Sequence, residues 1–508
     1  MSSALPESLN LAAYFLDARI AQGEGHRVAL RTTRGDFTYA EVFARANRWA
    51  HRLAALGVRP EERVVLALPD GVDFVGAFFG ALKLGAVAVM LNPDLKPEAI
   101  AHQLHYTRCA ALVVDAAHLA AFREADAHAR HHPTFVVADA PDETTHHAAA
   151  PAHFETFASH RDDAAIWLYS GGTTGHPKGV VQTHGAFVNT TERYAHQVLK
   201  LGPDDVTLAV PKLFFGYATG ANLLFPFSVG ASAILFEGRS TTDALFSLIE
   251  RHRPTVLINV PTVINQMVSH PEAAAYDLSC LRLCTSAGEP LPVELYHRWQ
   301  ARFGVELLDG LGTAEMWHVF LTNHPGKVRP GSLGTAVDGF EVRVCDDEGR
   351  PLPRGETGWL WVRGDSRALG YWQNLAGTMR AFRGEWYVSG DMLRQDADGY
   401  FYYCGRGDDM LKVAGRWLSP QEVEDCLQAH PAVHEVAVVG VTDAQGLLKP
   451  HAWVVTRGAC DPGDLEATLK KWVADRLDGF KVPRAVHVLP AMPRTHLGKI
   501  DRGKLRKG

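Results

Sequence analysis

The sequence predicts an α/β protein with a large N-terminal part of several subdomains, mostly parallel sheets plus a β subdomain, and a small α+β unit at the C-terminus. Short β-branched runs alternate with amphipathic stretches through the first three-quarters of the chain, the pattern of helices crossing over between parallel strands. Beyond about residue 340 the pattern turns strand-rich and turn-rich, as in a small β subdomain. From Ser419 onward, a helix, two strands, a helix and a last strand make a unit of about 100 residues, long enough for its own core. The chain has 508 residues and 46% hydrophobic content, enough to bury more than one core.

The elements follow from local signals. Thr38 and Glu41 are spaced as a capping box, opening a helix that Gly57 ends. A strand over 63–68, a helix over 72–84 and a strand over 86–91 come next. Similar alternation recurs at 207–210, 220–229, 233–236, 241–251 and 256–260. Strands at 341–344, 358–362 and 400–404 form the β-rich stretch, and strands at 436–441, 451–455 and 485–489 with a helix over 464–476 form the last unit. Glycine and charge concentrate at 405–409, where a hinge is expected.

The densest chemical signal is Ser170-Gly171-Gly172-Thr173-Thr174-Gly175-His176-Pro177-Lys178-Gly179, directly after the apolar run 164–169. Such glycines let backbone N–H groups turn toward an anion, and the hydroxyls add donors. A strand feeding this loop is a phosphate cradle. It is not a Walker A loop, because Pro177 precedes the lysine and Gly179 follows it.

Composition excludes several classes. A formal net charge of −6 argues against nucleic-acid binding, which normally shows a basic face. The seven cysteines are scattered without paired spacing, as expected of free thiols in a reducing cytoplasm. No signal peptide and no membrane-spanning run is evident, so a cytoplasmic protein is expected. His128, His131, His132, His146 and His147 cluster without zinc-ligand spacing and are expected to be solvent-exposed.

Four further clusters accompany the loop. Asp309-Gly310-Leu311-Gly312-Thr313-Ala314-Glu315 follows a strand-like run ending at Leu308, and Glu315 is a single carboxylate suited to a Mg²⁺ that keeps most of its waters. Asp391, expected at a strand end beside Gly390, suits ribose hydroxyls. Gly405-Arg406-Gly407-Asp408 leads on to Gly415, and Lys499 lies near the C-terminus.

In this order the motifs resemble the acyl-adenylate-forming, or AMP-binding, superfamily: acyl- and aryl-CoA ligases, firefly luciferase and peptide-synthetase adenylation domains. The resemblance implies an N-terminal AMP-binding and substrate domain over 1–405 and a mobile C-terminal lid over 406–508, with the hinge near Asp408. It implies two steps. A carboxylate attacks the α-phosphorus of ATP to give acyl-AMP and pyrophosphate, and a thiol then displaces AMP. Lys499, Glu315 and Lys178 are the implied catalytic residues. Ser170 through Gly175, Gly288, Glu289, Asp309 through Thr313, Asp391 and Arg406 are the implied ATP and AMP contacts. Glu315 and Thr174 are the implied Mg²⁺ ligands. Gly415 is implied to reach the site after the lid turns, and Phe480, Lys481 and Arg484 suit the coenzyme A nucleotide. Two departures stand out: Ala314 where the family carries threonine, and Leu311 where a tyrosine commonly packs on adenine.

The segments Lys212–Gly220 and Glu315–His318 look most like the benzoate–CoA ligase subgroup, which implies a flat aryl carboxylate held by Phe215, Tyr217, Ala218, Gly312, Trp317 and His318. No acidic residue lies between Lys212 and Phe227, so the ammonium of an α-amino acid would lack a counter-charge there. Benzoate, 2-aminobenzoate and hydroxybenzoates remain equal candidates. Coenzyme A is the expected acceptor, with a carrier protein as the alternative and a non-enzymatic binding protein as a third class. The oligomeric state stays open.

Overall fold

The computed structural model describes residues 5–140, 151–170, 177–407, 410–413, 416–443, 448–458, 462–494 and 500–506. By its contacts the chain divides into two units: Met1–Pro330, Gly334–Glu341 and Arg363–Tyr387 form the larger, and Gly331–Leu333, Val342–Val362 and Val388–Gly508 the smaller.

Two sheets build the larger unit. Among the described residues, one has nine strands in the order Thr335–Ala336, Val319–Thr322, Leu307–Gly312, Leu283–Ser286, Val256–Asn259, Val206–Ala209, Ser232–Ile234, Val28–Thr32 and Gly35–Thr38. Its central strands run parallel and its ends antiparallel. The other has seven strands, in the order Gly370–Tyr371, Lys178–Thr183, Ala164–Ser170, Val87–Met90, Arg63–Ala67, Ala111–Val114 and Thr134–Val137. Its first two strands are antiparallel additions, and the rest run parallel. Parallel strands buried on both faces read as continuous apolar runs, as Val87–Met90 and Ala111–Val114 do.

The capping box is formed. The Glu41 amide donates to Thr38 Oγ1 (3.3 Å) and the Thr38 amide to the Glu41 carboxylate (2.7 Å), opening helix Tyr39–Ala55. That helix packs on Val72–Lys83 at very short range, because a Cβ on Gly80 would come within 2.4 Å of the Trp49 Cβ and 2.9 Å of the Ala46 carbonyl.

Other expected elements are present with ends shifted by a few residues. The largest shift concerns the helix expected over 220–229. It begins at Gly216, and Gly220–Leu224 is wound as a π turn between Gly216–Thr219 and Phe225–Ser228. Two boundaries need correction. The strand taken to end at Leu308 runs on through Gly312, because Gly310 and Gly312 allow close pairing with Val319–Thr322. Asp391 lies inside the strand Trp386–Gln395, opposite Arg406, rather than at a strand end.

In the smaller unit, Val433–Thr442 pairs antiparallel with Leu448–Thr456, which pairs parallel with Ala485–Val488. Helices Pro420–Gln428 and Pro462–Ala474 accompany this sheet, and Val423, Leu427, Val436, Val454, Leu469 and Val473 share its core.

The described cysteines are all free thiols, and Cys460 lies outside the described residues. Among the described histidines of the cluster, His128 and His132 are exposed, while His131 is half-buried on the Cys109 carbonyl. No metal-binding group of His, Cys, Asp or Glu forms among the described residues, and no helix there is long and apolar enough to cross a membrane.

Gly80→Ala is expected to destabilise the larger unit by about 1–3 kcal/mol through overpacking. Gly202→Ala, whose Cβ meets nothing within 4 Å, is expected to leave the melting temperature unchanged. Differential scanning calorimetry of both variants checks the pair.

Candidate active site

Strand Ala164–Ser170 delivers the phosphate-cradle loop, and strand Lys178–Thr183 leaves it, with Ser170 opposite Lys178. Gly171, Gly172, Thr173, Thr174 and Gly175 lie outside the described residues. At the mouth of the loop the Ser170 hydroxyl is buried without a hydrogen-bond partner among the described residues. Lys178 Nζ sits 4.9 Å from the centroid of the Tyr371 ring. The Tyr371 hydroxyl donates to Glu315 Oε1 at 2.8 Å, and Glu315 is buried.

Residues 368–372 hold both sides of this arrangement. The Ala368 amide donates to the Glu315 carbonyl, and the Trp372 amide to the Gly179 carbonyl, each at 2.8 Å. The Tyr106 hydroxyl donates to the Trp372 carbonyl and accepts from the Gly179 amide. The loop exit and the Glu315 turn are therefore tied to one short segment.

The turn itself is tight. Thr313 Oγ1 accepts from the Met316 amide (3.3 Å), and Gln182 Nε2 donates to the Ala314 carbonyl (2.6 Å). The Thr313 hydroxyl thus caps the turn Ala314–Met316. Trp317 (φ 33°) and His318 (φ 72°) then both enter the left-handed region, rare for bulky residues. A Cβ on Gly312 would lie 2.1 Å from the His318 carbonyl, so only glycine permits this closure.

Beyond the turn the walls become aromatic. His318 packs against Phe225 (4.6 Å between ring centroids), Tyr217 (5.2 Å) and Tyr194 (5.5 Å), and Trp317 against Phe187 (4.1 Å). Gly220 makes room for the imidazole, since a Cβ there would be 2.4 Å from His318 Cδ2. His318 Nε2 lies 3.1 Å from the Tyr217 carbonyl and so must carry the proton. Nδ1 is left as a buried acceptor without a partner, and Trp317 Nε1 as a buried donor without one. Burial drives the His318 pKa down to about 3, against the pull of the Tyr217 carbonyl. The Tyr217 hydroxyl is bonded to Thr285 Oγ1 at 2.7 Å. Ala218 is buried, whereas Phe215 is 55% exposed, its ring tilted against Phe214.

An acidic residue does reach the 212–227 segment, from far away in sequence. Buried Asp70 accepts from the Leu213 amide at 2.9 Å. Burial pushes its carboxyl up to about 7 against the opposing pulls of Lys212 and that amide. Lys212 donates to the Phe236 carbonyl, and burial lowers its pKa to about 8. Asp70 thus secures the backbone of the aromatic segment.

The implied nucleotide contacts fall in both units. In the larger, burial raises Asp309 to about 8, with Ser286 and the Gly310 amide pulling the other way. Leu311 is half-buried opposite Leu321. Gly288 turns the chain at φ 84°, and the Glu289 carboxylate accepts from the amide and hydroxyl of Thr262. In the smaller, Asp391 accepts from Ser389 Oγ (2.5 Å) and Arg406 Nη1 (3.1 Å). Phe480 packs on the core of that unit, Lys481 pairs with Glu422 at 2.7 Å, and Arg484 is exposed. Lys499, Asp408 and Gly415 lie outside the described residues.

Residues 17–372 match the AMP-binding enzyme family, and residues 422–499 its C-terminal domain. The chain belongs to the AMP-binding enzyme family. It is 38% identical to a benzoate–CoA ligase of Thauera aromatica over 508 residues, covering 99% of this chain and 96% of that protein. It is also 38% identical to a 4-hydroxybenzoate–CoA/benzoate–CoA ligase of Rhodopseudomonas palustris, covering 98% and 94%. The crystal structure of the anthranilate CoA ligase AuaEII with anthranoyl-AMP superposes with a TM-score of 0.91 at 37% identity, covering 99% of this chain and 98% of that one.

For this family member, sequence reasoning passed over Tyr371, Tyr106, Trp372, Gln182 and Asp70, each bonded to a partner between 56 and 266 residues away along the chain. The run Gly370-Tyr371-Trp372 was the one local hint, an aromatic pair after glycine.

Because the folded-state pKa of His318 is depressed, its stabilising contribution is complete above the unfolded value of about 6.5. It is lost as pH falls from there toward about 3. His318→Asn, which does not titrate, is expected to flatten this slope. The melting-temperature difference between wild type and variant should shift against the wild type below about pH 6.5, as followed by thermal unfolding across pH.

Proposed function

We propose that this chain is an ATP-dependent, AMP-forming aryl-CoA ligase acting on benzoate or a benzoate with a ring amino or hydroxyl group. One observation carries the reading. The six-residue turn 313–318 bonds the Glu315 carboxylate to Tyr371, whose ring faces the loop-exit Lys178, and packs the Trp317 and His318 rings into an aromatic cluster. A carboxylate beside a phosphate grip and a flat apolar wall, within one short turn, fits adenylation of an aryl acid. The near full-length likeness to benzoate, hydroxybenzoate and anthranilate CoA ligases supports the same class.

In the first step a carboxylate oxygen attacks the α-phosphorus, an O–P bond forms, and the bond to pyrophosphate breaks. In the second, the thiol sulfur of coenzyme A attacks the acyl carbon, its proton departs, and the bond to AMP breaks. Ser170 through Lys178 hold the β- and γ-phosphates. Asp391, already fixed by Ser389 and Arg406, accepts from the ribose hydroxyls. Lys499 neutralises charge between the acid and the α-phosphate, a role commonly worth about 3–4 kcal/mol.

Glu315 fits Mg²⁺: Tyr371 holds Oε1, and Oε2 has no hydrogen bond among the described residues. A single carboxylate with Thr174 suits an ion that retains waters, and Mg²⁺ supplies charge neutralisation at the phosphates. Ala314 places no hydroxyl beside that carboxylate, and Thr313 is used in the turn. The C-terminal unit turns about Asp408 between the steps, bringing Gly415 to the thiol path, because Lys499 and the thiol need the same space.

At the ring, His318 Nδ1 accepts from an amino or hydroxyl substituent, the one hydrogen bond the imidazole still lacks. A panel of benzoates scored by AMP release with coenzyme A tests both class and acid. Aryl acids with a ring donor are expected to exceed benzoate in kcat/KM by about tenfold, and acylation of a carrier protein alone would remove coenzyme A from the reading. Lys499→Ala is expected to lower pyrophosphate exchange by about 10²–10³-fold while leaving conversion of supplied aryl-AMP and coenzyme A to thioester intact. Equal loss in both half-reactions would contradict a one-step role. Asp408→Pro should show the opposite split.

A further inference from the structure

We propose that Tyr371 is a positioning residue for adenylation that holds Glu315 and Lys178 in place and apart. This rests on the ligase reading above. The Tyr371 hydroxyl takes Oε1 of Glu315 at 2.8 Å, while its ring lies 4.9 Å from Lys178 Nζ. One side chain thus touches both the buried carboxylate and the cation at the exit of the phosphate loop. Among the described residues, Lys178 and Glu315 make no ion pair with each other or with any third residue, although opposite charges in a half-buried site attract strongly.

Tyr371 is itself fixed well enough to serve as a spacer. Its amide donates to Thr378 Oγ1 (3.0 Å), its strand pairs it with Val180, and its ring packs against Phe382 at 5.5 Å. The hydroxyl determines which carboxylate oxygen is consumed: Oε1 is occupied and Oε2 is presented. The ring face determines where the ammonium rests, since a cation is drawn to the face of an aromatic ring without being neutralised by it. Without the spacer, lysine and carboxylate collapse into an ion pair. The anionic ligand for the metal and the cationic ligand for the phosphates then cancel one another before ATP arrives.

Two substitutions separate these parts. Tyr371→Phe keeps the ring and deletes the hydroxyl, and Tyr371→Leu deletes both. Three readouts are followed: pyrophosphate exchange against Mg²⁺ concentration, thioester formation from supplied aryl-AMP, and Mn²⁺ binding by electron paramagnetic resonance with a non-hydrolysable ATP analogue. For Tyr371→Phe, exchange is expected to fall about tenfold with Mn²⁺ affinity reduced by a similar factor. The KM for the aryl acid and the thioester half-reaction should stay within about twofold of wild type. For Tyr371→Leu the loss is expected to be larger and not recovered by excess Mg²⁺.

Unchanged Mn²⁺ affinity and exchange in Tyr371→Phe would overturn the proposal. So would equal losses in both half-reactions accompanied by a lowered melting temperature, which mark a merely structural tyrosine. Wild-type protein that exchanges pyrophosphate with no benzoate would instead overturn the ligase reading, while Mn²⁺ binding with the ATP analogue still decides the role of Tyr371.

Discussion

The site depends on a backbone that two bulky residues would not adopt alone. Trp317 and His318 are successive non-glycine residues at positive φ, a conformation that costs about 1–3 kcal/mol per residue. Burial offsets it. Trp317 is fully buried against Phe187 and Phe225, and His318 is packed among Phe225, Tyr217 and Tyr194. Gly312 and Gly220 remove the two Cβ atoms that would otherwise collide with the turn. The reversal sends Glu315 toward residues 368–372 and the Trp317 and His318 side chains into the aromatic cluster. The residues proposed for the phosphate side and the aryl side are neighbours because the turn is this tight.

Burial then shifts several titratable groups nearby. His318 stays neutral far below its ordinary range, so its proton is committed to Nε2 and the Tyr217 carbonyl. Asp70 and Asp309 are pushed in the other direction, up to about 7 and about 8. Asp70 lies near Lys212, yet its hydrogen bond goes to the Leu213 amide, so its main structural effect falls on the aromatic segment. Lys178 differs from these, resting on a ring face rather than against a carboxylate.

Much of the architecture was legible because its signals are local. Thr38 and Glu41 form the capping box their spacing announces, and the alternation of apolar runs with amphipathic stretches gives the parallel strands. The misread boundaries share one cause. Gly310 and Gly312 read locally as the end of a strand, but they are glycine because Leu321 and His318 approach closely from the neighbouring strand and turn. Asp391 likewise sits beside Gly390 in mid-strand, where the Arg406 guanidinium would meet a Cβ at 2.6 Å. A close approach and a turn leave the same residue in the sequence. Tyr106 and Asp70 carried no local mark, and Tyr371 only the aromatic pair after Gly370, since each acts on a partner made adjacent only by the sheets.

Most of the polar atoms at the aryl end are committed within the protein. The Tyr217 hydroxyl is held by Thr285, the Tyr217 carbonyl by His318 Nε2, and Asp70 by Leu213. The wall therefore presents carbon, with His318 Nδ1 and Trp317 Nε1 as buried exceptions. A carbon wall distinguishes aryl acids weakly, by about 1–3 kcal/mol per added or missing group. One unmet buried acceptor matters comparably, because an acid without a donor leaves that desolvated atom unpaired at about 1–3 kcal/mol. On the proposed reading, acid preference is thus concentrated in the few unmet atoms of Trp317 and His318, two and three residues beyond Glu315 in the turn.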